Sequence, residues 1–83
     1  MAIGRTTHRR ALALAVRVLR VERSLTQERV DTAGNLSHNS TKRTESGDTS
    51  VGFDILVGVA TGLGVSVSEL MVEYERQLQK LSR

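Results

Sequence analysis

No cysteine occurs among the 83 residues of this sequence, and histidine occurs only twice. Without thiols there is no disulfide framework, no thiolate metal site and no cysteine nucleophile, and nothing ties the chain to an oxidising compartment. A reducing cytoplasm is the expected location. His8 and His38 stand thirty residues apart, and no base with an orienting partner accompanies any serine. Neither catalysis nor a metal site is expected, and no cofactor is implied. Long apolar runs are missing as well. The stretch ALALAV follows Arg9 and Arg10 as the core of a signal peptide would, but Arg17 and Arg20 interrupt it. No segment has the length to span a bilayer, so no membrane association is expected.

What is present is charge, unevenly placed. Residues 1–43 hold nine Lys/Arg against three Asp/Glu, and residues 44–83 hold three against six, within a net charge of +3. The basic half is the natural phosphate-facing end. A chain of this length makes one domain, with marginal stability unless it self-associates.

Met1 to His8 shows no periodicity and reads as a mobile basic arm, in which Arg5 could reach a nucleic-acid backbone; a plain disordered tail is the alternative. From Arg9 to Arg23, Leu12, Ala15, Val16 and Leu19 recur at helical spacing, widened by Leu14, Val18 and Val21. Thr26 can cap a second short helix, with Glu28 near its positive end and Leu25 and Val30 toward the core. Between Thr32 and Gly52, thirteen of twenty-one residues are Ser, Thr, Asn or Gly, which reads by composition as a loop.

Helical spacing returns at Phe53, Leu56, Val57, Ala60 and Leu63, and Gly64 sits where a left-handed cap belongs. Gly58 and Gly62 should weaken that helix by about 1 kcal/mol each relative to Ala. SVSE at residues 66–69 is a capping box that opens a last helix. Along it Val67, Met71, Tyr74, Leu78 and Leu81 repeat at spacings of four, three, four and three, the seam of a helix pair. That seam either joins two copies, through a C-terminal extension over residues 73–83, or packs on the chain's own core.

The order of these elements, with LTQERV at 25–30, LS at 36–37, ESG at 45–47 and FDILVGVATGLGVSVSELM at 53–71, resembles the Cro/C1-type (XRE-like, lambda repressor-like) helix-turn-helix regulators. The resemblance covers roughly Leu12 to Met71. It implies an all-α, five-helix DNA-binding domain over residues 9–72, with its motif at about 26–45 and a third helix at about 37–45 lying in the major groove of double-stranded DNA. It further implies base contacts from His38, Asn39 and Arg43, and phosphate contacts from Gln27, Ser37, Ser40 and Lys42. Ser37 would cap the third helix, and Arg20 would pair with Glu45.

Departures from the family pattern cluster in the motif. Asp31 stands where a small residue usually packs against the third helix, unless a residue is missing from the second helix and Asn35 is inserted in the turn. Thr41 and Thr44 replace apolar anchors, Val51 replaces a frequent proline, and Asp48 stands at a place where relatives carry a phosphate-binding cation. The functional expectation is a sequence-specific transcriptional regulator acting as a homodimer on a near-palindromic operator. The alternative is a protein-interaction module, antitoxin-like or anti-repressor, that docks a protein partner and binds DNA weakly or not at all.

Overall fold

The computed structural model describes residues 2–83. Five helices follow one another: α1 Arg5–Glu22, α2 Gln27–Ala33, α3 Ser40–Ser46, α4 Phe53–Leu63 and α5 Val67–Leu81, with no strand among the described residues. The all-α expectation holds, and among the described residues no single helix is long and apolar enough to cross a membrane.

The first helix starts at Arg5, four residues earlier than the periodicity indicated, so Arg5 to His8 are helical and not part of an extended arm. The reason is tertiary. His8 shares a hydrogen bond with the Tyr74 hydroxyl on α5, and the two rings stack 6.2 Å apart. That contact anchors a first turn that has no side-chain cap. Of the expected arm, Met1 lies outside the described residues.

Ala11, Ala13, Ala15, Val16 and Leu19 form the buried face of α1, and the three alanines allow close approach of its neighbours. Val16, Val30, Val59 and Leu70 are essentially inaccessible, and Leu19, Leu63 and Val65 complete the centre around them. Each such Val or Leu contributes about 1.5–3 kcal/mol on burial.

Two apolar assignments need correction. Phe53 is 72 % exposed and Val21 58 % exposed, so neither belongs to the core. Both sit at a helix end, where the chain has already turned away from the centre. On α5 the buried line is Leu70, Glu73 and Gln77, one step round the helix from the expected seam. Val67, Met71 and Tyr74 pack partly against the chain's own core, while Leu78 and Leu81 beyond them are half-buried. Glu73 is satisfied within the helix, accepting from the Gln77 amide at 2.8 Å and from Arg76 at 3.2 Å.

The capping box forms: Ser66 Oγ accepts from the Glu69 amide, and the Glu69 carboxylate accepts from the Ser66 amide, each at 3.0 Å. The bond from the Ser66 amide, with the Ser66 hydroxyl beside it, favours the charged form and holds the Glu69 carboxyl below its usual value.

The contact between α2 and α4 is made almost backbone to backbone. A methyl group at Gly62 would overlap the Val30 carbonyl, and one at Gly34 would overlap the Gly58 carbonyl. The glycines that weaken α4 as a helix are what allow α2 to lie against it.

Candidate nucleic-acid interface

At seven residues each, α2 and α3 are too short to be stable alone and depend on what holds them. Thr26 caps α2, its hydroxyl accepting from the Arg29 amide at 3.0 Å. Val30 and Asp31 are its buried residues. Asn35 then takes a left-handed turn, with φ of 53°, and the Leu36 amide closes the turn on the Asp31 carbonyl at 2.8 Å. Asn tolerates that conformation better than most residues.

Beyond the turn, seven residues of the polar stretch are helical and not a loop. The third helix begins at Ser40, three residues later than expected, and is preceded by Asn39 in a left-handed conformation with φ of 67°. Ser37 therefore does not cap it. Ser40, Thr41 and Thr44 face inward, and Lys42, Arg43 and Ser46 face out.

The buried threonine hydroxyls on α3 find partners that composition does not reveal. Asp31 points at α3, the placement expected without a gap in α2, and its Oδ1 accepts from the Thr41 amide at 2.8 Å and the Thr41 hydroxyl at 2.6 Å. The carboxylate so serves as a cap, supplied by a neighbouring helix, for an otherwise unsatisfied amide in the first turn of α3. Thr44 hides its hydroxyl on the Ser40 carbonyl at 2.9 Å. The two departures at 31 and 41 thus form one unit. Asp31→Ala should lose about 1–3 kcal/mol in urea unfolding, because two buried donors lose their acceptor. Adding Thr41→Val removes one of those orphans and should recover part of the loss; a purely additive double variant would show that the bond carries no coupling.

At the far end of α3 lies the second anchor. Arg20 grips Glu45 with two parallel bonds, Nε to Oε2 at 2.6 Å and Nη2 to Oε1 at 2.9 Å, and donates a third to the Leu25 carbonyl at 2.9 Å. Gln27 adds a bond to Glu45 Oε1 at 3.2 Å. The side chains are 16 % and 6 % exposed, so this is a partly buried clamp and not a loose surface pair. Its hydrogen bonds to Glu45 raise the Arg20 pKa above the ordinary arginine value. α3 is held at both ends by polar groups from α1 and α2.

Several expected contact residues are consequently placed differently. Ser40 is 2 % exposed and its hydroxyl has no partner, so it cannot touch a phosphate. Gln27 is engaged with Glu45. Arg5 stands in the first turn of α1 and not on a free arm; it is exposed and lines a groove with Met71 and Tyr74. Ser37, His38, Asn39, Lys42 and Arg43 remain exposed, along the turn into α3 and its outer face. Asp48 is exposed just beyond. Among the described residues no three His, Asp or Glu side chains gather as metal ligands would.

The chain's backbone is similar to solved structures of a gene regulator. The clp gene regulator ClgR from Corynebacterium glutamicum superposes with a TM-score of 0.80 at 25 % sequence identity, over 90 % of this chain and 80 % of that one. A second crystal structure of ClgR from C. glutamicum gives a TM-score of 0.73 at 28 % identity, over 83 % of this chain and 90 % of the other. Neither a protein-family model nor a curated protein sequence matches the chain. Both structures are of a gene regulator. Asp31, Gln27 and Ser40 are the residues whose roles the sequence does not disclose. For Asp31 the one advance signal is that polar residues stand at both 31 and 41, where a packed contact is expected.

Proposed function

We propose that this protein is a DNA-binding gene regulator that reads sequence with the exposed edge formed by His38, Asn39 and Arg43, as a homodimer on a near-palindromic operator. The observation that carries the reading is the clamping of α3 at both ends by Asp31 and by Arg20, which leaves a cationic, hydrogen-bonding edge facing solvent. The likeness to the clp gene regulator ClgR supports the same class of activity.

In this reading Asn39 pairs with adenine, Arg43 with the acceptors of guanine, and Ser37 and Lys42 contact phosphates on either side. Arg43→Ala should therefore remove about 1–3 kcal/mol of discrimination at one base position, whereas Lys42→Ala should weaken every sequence alike and flatten the salt dependence. The test is selection from a randomised duplex pool at low salt, followed by titration of the enriched site against both variants. Enrichment of a short inverted repeat supports the reading; an unchanged preference in Arg43→Ala refutes the assignment of that residue. A protein-interaction module is the second reading. It is favoured by exposed Asp48, which repels phosphate beside α3, and it gains the field if no duplex is retained.

A further inference from the structure

At one edge of the molecule the start of α1, the loop before α4 and the middle of α5 enclose a groove of about 590 Å³. Its floor is apolar, built by Leu12, Leu56 and Met71, and Arg5 and Arg9 stand one helical turn apart along one wall. No carboxylate lines it. Between Val51 and Leu56, which both line the groove, Phe53, the chain's single phenylalanine, is 72 % exposed, and Asp54 next to it is exposed too. Phe53 lies one turn before Leu56 on α4, so an apolar knob with an anionic neighbour borders an apolar hole with a cationic wall. The chain's own ring does not fill that hole.

We infer that a second copy of this chain docks here, each Phe53 entering the other's groove and each Asp54 meeting the other's Arg5 and Arg9. Knob and hole on one edge are what a two-fold contact requires, since the same patch must complement itself and the assembly then closes at two. An aromatic anchor in an apolar pocket with a charged pair at its rim is also the composition of an interface centre. The inference rests on the dimeric reading above and supplies its interface, to which Met71 and Tyr74 of the expected α5 seam contribute through the groove.

The test is sedimentation equilibrium of the full chain without DNA. Wild type should populate a dimer, and Phe53→Ser should raise the dimer dissociation constant on the order of thirtyfold, with the helical circular dichroism unchanged. Asp54→Arg alone should weaken the dimer, as should Arg5→Asp with Arg9→Asp, and combining all three substitutions should restore it. A wild type that stays monomeric overturns the inference, as does a Phe53→Ser variant that dimerises as well as wild type, or a triple variant weaker than either set alone. Duplex selection keeps the two readings apart. A monomer that still enriches a half-site sinks this interface and spares the regulator; a Phe53-dependent dimer that retains no DNA does the reverse.

Discussion

Gly62→Ala is expected to unfold the domain or bring it close to unfolding, a loss of at least about 3 kcal/mol by urea denaturation. By helix propensity alone the substitution should stabilise α4 by about 1 kcal/mol. Against that stands the Val30 carbonyl, which occupies the space a methyl would need. Relief would demand that α2 move away from α4, because the obstructing atom is backbone and not a flexible side-chain tip. Overpacking of this kind costs about 1–3 kcal/mol where neighbours can yield, and more where they cannot. A domain of this size has on the order of 4–12 kcal/mol in all. Gly34→Ala, which meets the Gly58 carbonyl, should behave alike. A midpoint raised by either alanine would mean that the two helices do not approach as closely as described.

Glu45→Ala is the second substitution with a large expected effect, a loss of about 3–5 kcal/mol, the usual penalty for removing one partner from a buried pair. It strips the Arg20 guanidinium of two bonds and Gln27 of one, in a site where Arg20 is only 16 % exposed. The loss should be smaller when Arg20→Met accompanies it, since no charge is then left without a partner. The functional consequence separates this clamp from mere stability. α3 would be tethered only at its Asp31 end, so DNA affinity at a temperature where the variant is still folded should fall for all sequences together. Full affinity in a folded Glu45→Ala protein would show that the clamp does not position the reading edge.

Legibility in the sequence followed the range of the interactions. Helix order, the Ser66 box and the left-handed Gly64 are local, decided within one or two turns, and they stand as read. Arg20 and Glu45 were paired only through the resemblance, since nothing in their spacing of twenty-five residues reveals a contact. The stretch from Thr32 to Gly52 reads as a loop because its hydroxyls lack apolar company, while their partners lie across the fold: Thr41 with Asp31, ten residues away. The start of α1 was hidden for the same reason, since His8 is held by Tyr74, sixty-six residues on. Periodicity names a stripe without naming what it faces, which is how Val67, Met71 and Tyr74 could suit a second copy as well as the chain's own core. Phe53 misled through its hydrophobicity alone, being placed at a helix start that the core does not reach.

The two polar clamps under α3 also bear on temperature. Contacts made by apolar surface weaken on cooling, because their hydration carries a large positive heat capacity, whereas newly hydrated polar surface contributes with the opposite sign. Detaching α3 would uncover the Asp31 carboxylate, the Thr41 and Thr44 hydroxyls and the Arg20–Glu45 pair alongside a few methyl groups. The net heat-capacity change of that local opening is small. The free energy of seating α3 should then change nearly linearly with temperature, without weakening on the cold side, even while the apolar centre around Val16 and Leu70 loses strength on cooling.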